Sequence, residues 1–168
     1  MDKREAYESF AMVGVDPKGR VGIPASMRHA LEKNGDGRTI HIAAHPVLPC
    51  LIGSDAGWDE ARTAQLLRDE QAATDRGEVF DRDNVYRGAF ALKDIVAYDQ
   101  QTGRFVLGSF FRQEIAGLAD NAIFLGKHDH FEIWNPETLA VSELVSERTR
   151  MLARHCLANP RGGKKAGA

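Results

Sequence analysis

The chain has 168 residues, 43% hydrophobic and 27% charged, the balance of an ordinary globular protein of one or two small domains. A net charge of −2 provides no global field to draw in nucleic acid, so any anion site must be a local patch. Two cysteines, Cys50 and Cys156, make no disulfide framework, no stretch approaches the ~20 apolar residues of a membrane span, and the charged start MDKREAYESF lacks the apolar segment of a signal peptide, so the expected setting is the cytoplasm.

In chain order, ESFAMVGV (8–15) reads as a first strand. It runs into DPKGR, residues 16–20. Asp at the first position, Pro at the second and Gly at the fourth is the signature of a type I turn. Pro17 presets φ, the Asp16 side chain can accept from the turn's own amides, and Gly19 lets the chain leave through an angle other residues resist. Lys18 then sits at the apex of a rigid corner and Arg20 at its exit. A short strand RVGI follows, then a short helix for which Pro24 suits the start and Gly35 the end. Strands at 38–44 and 49–53 close the unit. The Ala-, Glu- and Arg-rich segment from Trp58 to about Ala73 reads as a helix, followed by the polar connector TDRGEVFDRDN.

The first unit then recurs. DPKGRVGIPASMRHAL (16–31) aligns with QQTGRFVLGSFFRQEI (100–115) at an offset of 84, placing Gly19 on Gly103, Arg20 on Arg104 and Arg28 on Arg112. Each copy spans roughly 45–50 residues. In the second copy GAFALKDIVAY is the leading strand, RFVL the short strand, Ser109 the expected N-cap and Gly117 the residue just past the helix. Strands at 122–126 and 130–134 complete it. Units this small bury too little to stand alone, so each is expected to complete its core by intertwining with a neighbour. Val141, Leu144, Val145, Met151 and Leu152 recur at helical spacing and predict one amphipathic helix over 137–157. The Gly-rich basic end, ANPRGGKKAGA, predicts a disordered tail over 158–168.

These residues resemble the MraZ family of bacterial transcriptional regulators. The resemblance rests on DPKGRVGIPASMR, on GRFVLGSFFRQEIAGLADNAIFLGKHDHFEIW and on the Trp-headed helix after CLIGSDAGWDE, and it spans about 7–155. It implies an α+β fold of two tandem AbrB/SpoVT-like repeats, each a swapped hairpin or half of a double-ψ-like barrel, packed pseudo-symmetrically with an amphipathic helix after each. The implied organisation is a first repeat at 7–53, a helix and connector at 54–84, a second repeat at 85–136, the helix at 137–157 and the tail. The implied function is a repressor of the division and cell-wall gene cluster that binds promoter direct repeats of double-stranded DNA as a ring of several subunits, in the cytoplasm at the nucleoid. The family's D-x-x-x-R motif stands intact as Asp16 and Arg20. In the second copy Asp99 lies five residues before Arg104, Gln100 occupies the fourth position, and Gly108 stands where the first copy has Pro24, so a longer turn with Gly103 at positive φ is expected.

The expected DNA contacts are Lys18, Arg20, Arg104 and Arg28, and the expected turn-structuring residues are Asp16, Pro17, Gly19 and Gly103. Arginine can make bidentate bonds to phosphate or guanine. Asp16 is cast as a structural partner that holds Arg20, because a carboxylate facing DNA is repelled. At Arg28 and Arg112 a structural or subunit-interface role competes with DNA contact. Trp58 and Trp134 are read as anchors of cores or interfaces. On a strand the two histidines of KHDHFE (127–132) would share a face, but no third ligand cluster accompanies them and the segment reads as a hairpin tip, so no metal is expected, and no other cofactor or small-molecule substrate. Two other function classes stand beside the regulator. One is an antitoxin-like interaction module of the same fold acting through the C-terminal helix. The other, a metal-dependent enzyme, is set aside because the chain has no nucleophile elbow, P-loop or G-x-G-x-x-G.

Overall fold

The computed structural model describes residues 3–160. The first half contributes β1 (Phe10–Gly14), β2 (Arg20–Gly22), α1 (Ala25–Asn34), β3 (Thr39–Ala44) and β4 (Leu51–Ser54), followed by α2 (Ala56–Asp75). A short α3 (Arg82–Tyr86) leads into a π-helical turn at Arg87–Ala91. The second half then supplies β5 (Lys93–Ala97), β6 (Arg104–Val106), a second π-helical turn at Phe110–Ile115, β7 (Asn121–Gly126) and β8 (Phe131–Trp134). Two helices, α4 (Pro136–Val141) and α5 (Glu147–Ala158), complete the described residues.

The strands form a six-stranded sheet in the order β1-β7-β8-β4-β3-β5 and a two-stranded ribbon, β2-β6. Reversing the order and exchanging the halves leaves it unchanged: β1 stands for β5, β3 for β7 and β4 for β8. The first strand of each half thus pairs with the other half, β1 with β7 and β5 with β3. All these pairings are antiparallel. One half alone would leave its leading strand without its partner, and the core is shared.

That core lies on one face of the sheet. Ile40 and Ile42 of β3, Phe124 of β7 and Phe131 and Ile133 of β8 point into it with Met27 and Leu31 of α1, Phe105 and Leu107. The period-2 alternation of strands sends their neighbours to the opposite face. There Ile123 and Trp134 meet Leu139, Ala140, Ala153 and Cys156 of α4 and α5, with Cys50 beside them. On the same outer face His41 pairs through Nδ1 with Asp59 of α2 at 2.5 Å, and Lys93 reaches Asp59 at 2.8 Å. α2 is fixed at its start by Asp55, its N-cap, which accepts from the Trp58 amide, from both Nη atoms of Arg4 and from the Tyr7 hydroxyl. Burial pushes the Asp55 carboxyl up, but these donors outweigh it and hold it below the usual range.

Four expectations are corrected. The helix over 137–157 is two helices, broken at 142–146. Ser146 caps α5 through the Thr149 amide, and the carbonyls left open at the end of α4 are closed by arginines of α5. Arg150 donates to Ser142 O and Val145 O, and Arg154 donates to Ala140 O. The single apolar stripe splits accordingly: Val145 and Leu152 pack on the core while Val141, Leu144 and Met151 are exposed. Second, the leading strand of the second half begins only at Lys93, because 87–91 is π-helical. Third, the short helix of the second half is a π turn, closed by Ala116 N–H to Phe111 O. Fourth, Ser109 does not cap it; its backbone is already helical and its hydroxyl bonds no amide there. Gly117 does take the left-handed angle, φ +58°, and the next amide reaches back to Arg112 O. The expected basic tail lies, from residue 161, outside the described residues.

Candidate functional site

The two Gly-Arg turns sit beside the β2-β6 ribbon. In the first, Gly19 N–H donates to Asp16 O at 2.9 Å and Asp16 N–H to Arg20 O at 3.1 Å. Gly19 has φ +80°. This is a three-residue hairpin loop, a type I turn closed by a left-handed glycine. Asp16 organises it from inside: Oδ1 accepts from the amides of Lys18 (2.9 Å) and Arg20 (2.8 Å), and Oδ2 accepts from Arg20 Nε. The Arg20 amide leads the causes that hold the Asp16 carboxyl below its ordinary range, followed by the Arg20 side chain and the Lys18 amide. Pro17 and Lys18 are exposed at the tip.

The second turn repeats the plan with one more residue. Asp99 N–H donates to Arg104 O at 2.8 Å and Gly103 N–H to Asp99 O at 2.7 Å, with Gly103 at φ +71°. Asp99 Oδ1 accepts from the amides of Gln101 and Thr102 and from the Thr102 hydroxyl. The Thr102 amide and hydroxyl lead the causes that hold Asp99 low. The carboxylate serves Thr102 where its counterpart serves Arg20, so the Arg104 guanidinium makes no hydrogen bond among the described residues. Asp99 was missed as a turn-structuring residue; its signal was Asp-x-x-x-Gly, one residue longer than Asp-x-x-Gly in the first turn.

The ribbon brings the two arginines together. Arg20 pairs with Val106 and Gly22 with Arg104, while Val21 and Phe105 between them are buried. Arg20 and Arg104 therefore stand on the same outward face at diagonal positions, with Cα atoms about 7–8 Å apart by ladder geometry. Both line a shallow groove of about 290 Å3 with Asp99, Thr102, Phe105 and Val106. Arg28 is placed differently. Its guanidinium donates to the carbonyls of Gln100 and Gln101 in the second turn, and its Nε to Glu32 at 3.1 Å.

The KHDHFE segment is a hairpin tip. His130 pairs with Asp129 and packs at a tilt of 39° against Trp58, ring centroids 5.0 Å apart, and Glu132 accepts from the Trp134 indole at 3.0 Å. Among the described residues no group of three His, Cys, Asp or Glu side chains is placed to hold a metal ion, and no helix is long and apolar enough to cross a membrane. Trp134 is fully buried in the outer core as the sequence implies, while Trp58 is half-buried at the start of α2 under Arg62.

No protein-family model matches the sequence. Curated relatives do. The chain is 34% identical over 160 residues to the transcriptional regulator MraZ of Gluconobacter oxydans, covering 91% of this chain and 92% of the relative. It is 35% identical over 136 residues to that of Ruegeria pomeroyi, covering 79% and 78%, and 30% identical over 157 residues to that of Gluconacetobacter diazotrophicus, covering 91% and 90%. Identity at this level across nearly the whole length, together with the paired Gly-Arg turns, settles the kinship: the chain belongs to the MraZ family of transcriptional regulators.

Proposed function

We propose that this protein is a DNA-binding repressor whose two turns grip the duplex with Lys18, Arg20 and Arg104. One observation carries the reading: Arg20 and Arg104 share the outward face of a two-stranded ribbon whose inward residues are buried. A β-ribbon of this kind fits the major groove, and arginine bonds phosphate or guanine through two parallel donors. Asp16 restrains Arg20 before DNA arrives, which reduces the entropy lost on binding.

One subunit is a weak ligand. Each neutralised phosphate contributes about 0.9 to the salt slope, so three cations give at most about 3. Several linked copies add their contacts, which fits a chain with net charge −2. We therefore read a homo-oligomer, in the family's case a ring, acting on promoter direct repeats of the division and cell-wall gene cluster in the cytoplasm. Exposed Val141, Leu144 and Met151 offer apolar surface for contact between copies. The internal symmetry of the strand order supports two AbrB-like repeats at 7–53 and 85–136, with α2 and the α4–α5 pair as their appended helices.

The test is fluorescence-anisotropy titration of the DNA upstream of the protein's own gene cluster against a scrambled duplex, across several salt concentrations. Preference for the upstream DNA with a steep salt slope is expected. Equal, weak binding to both duplexes overturns the reading.

A further inference from the structure

We propose that Arg28 and Arg112 are positioning residues, each half of the chain using its arginine to clamp the turn of the other half. The inference rests on the DNA reading above for its consequence, and on the geometry alone for the clamp.

Both turn glycines are buried, although their neighbours at the hairpin tips are exposed. The cover comes from across the pseudo-symmetry. A Cβ on Gly103 would lie 3.0 Å from Cδ and 3.1 Å from Nη1 of Arg28. A Cβ on Gly19 would fall 1.5 Å from Nη1 of Arg112. The same glycines are held through their carbonyls by the opposite half: Ile23 N–H donates to Gly103 O at 3.0 Å, and Leu107 N–H to Gly19 O at 2.9 Å. Each turn is thus gripped on its Cα face by a guanidinium and on its carbonyl by a backbone amide, both from the other half. Positive φ favours glycine at each site, and a side chain there would push the covering arginine from its place.

The two clamps differ. Arg112 closes on its own half, donating to Leu107 O at 3.3 Å, and covers Gly19 by packing. Arg28 bonds the second turn directly through the Gln100 and Gln101 carbonyls, anchored behind by Glu32. Two carbonyl dipoles next to Arg104 would repel a phosphate; the Arg28 charge covers them. The fork reaches two carbonyls and a carboxylate from three separate nitrogens, whereas the donors of a lysine radiate from one atom, so lysine is a poor substitute. The longer second turn, whose arginine lacks the carboxylate restraint of Arg20, gains from these bonds a brace beyond that of Asp99.

The experiment is a double-mutant cycle on the full chain with the upstream duplex: Arg28→Ala, Arg104→Ala and both. Amide exchange of the free proteins at 99–103 is followed in parallel. The clamp predicts faster exchange at 99–103 in Arg28→Ala, an affinity loss of about threefold and no larger than that of Arg104→Ala in the wild-type background, and no further loss once Arg104 is gone. The salt slope of the double variant then equals that of Arg104→Ala. Additive losses, with the slope falling by a further ~0.9, overturn the proposal and make Arg28 a phosphate ligand. Unchanged exchange at 99–103 also overturns it. If no variant and not the wild type prefers the upstream duplex, the DNA reading fails and the exchange result still decides the clamp. Arg28→Gln, which keeps the stem as far as Cδ and one uncharged NH2 group, replaces Arg28→Ala if the latter does not fold, with the same outcomes and partial rescue of exchange.

Discussion

The two halves of the chain trace one topology with different local chemistry. After the first turn comes a ten-residue α-helix; after the second comes a six-residue π turn. After β4 a 20-residue helix runs from a buried aspartate cap; after β8 two short helices follow an asparagine cap. In the first turn the aspartate holds the arginine, and in the second it holds Thr102 and not the arginine. The shared part is what the exchanged strands require, the pairing order and the inward residues. α1 and the π turn both pack on that shared core, whereas the turn tips and the appended helices face solvent or the outer side of the sheet, where one solution does not constrain the other.

The largest expected contrast lies in the caps. Asp55→Ala leaves the buried Tyr7 hydroxyl without its acceptor, together with the Trp58 amide and the exposed Arg4 guanidinium, and should destabilise the fold by about 3 kcal/mol. Asn135→Ala removes an ordinary cap, which accepts from the Glu137 and Thr138 amides, and should cost about 1 kcal/mol. Urea denaturation of the two variants measures the difference; equal losses would mean that the Arg4–Asp55–Tyr7 network adds nothing beyond capping.

The next contrast is in DNA affinity. Arg20→Ala should weaken binding about tenfold or more and Arg104→Ala by less, because Arg20 is restrained before binding and Arg104 is not. Anisotropy at fixed salt ranks them, and a larger loss at Arg104 would reverse the roles assigned to the two turns.

The smallest effect is in pH. Both Asp16 and Asp99 are held below the ordinary aspartate value of about 3.9 by hydrogen bonds to the charged form. A depressed carboxylate contributes order that is present above the unfolded value and is lost as pH falls through the folded one. The turn amides of Lys18 and Arg20, and of Gln101 and Thr102, should therefore titrate by NMR with midpoints below about 3.9. A midpoint at or above that value in either turn would show that its aspartate is not the organiser.

Residues 16–20 were legible because their chemistry is local: each hydrogen bond spans at most four positions and the residue types admit few alternatives. The 84-residue offset and the positive φ at Gly103 were legible for the same reason. The break at 142–146 was not, because a 3.6-residue period survives a short interruption, and the closing bonds come from arginines of the next helix. Asp55 carried a faint signal as an N-cap before Ala-Gly-Trp, but its bonds to Arg4 and Tyr7 cross about 50 positions. For Arg28 the sequence offered both a structural role and DNA contact and nothing to decide between them: the same residue at the same helical position serves equally to meet DNA or to hold a turn 72 residues away.

The turns, most of the short strands and the repeat were thus readable in the sequence, since each follows from residue types and their spacing along the chain. Only the tertiary structure decided which half supplies each strand's partner, and which arginines face outward. Those outcomes depend on hydrogen bonds between segments far apart in the chain, and no local preference distinguishes a partner in the same half from one in the other.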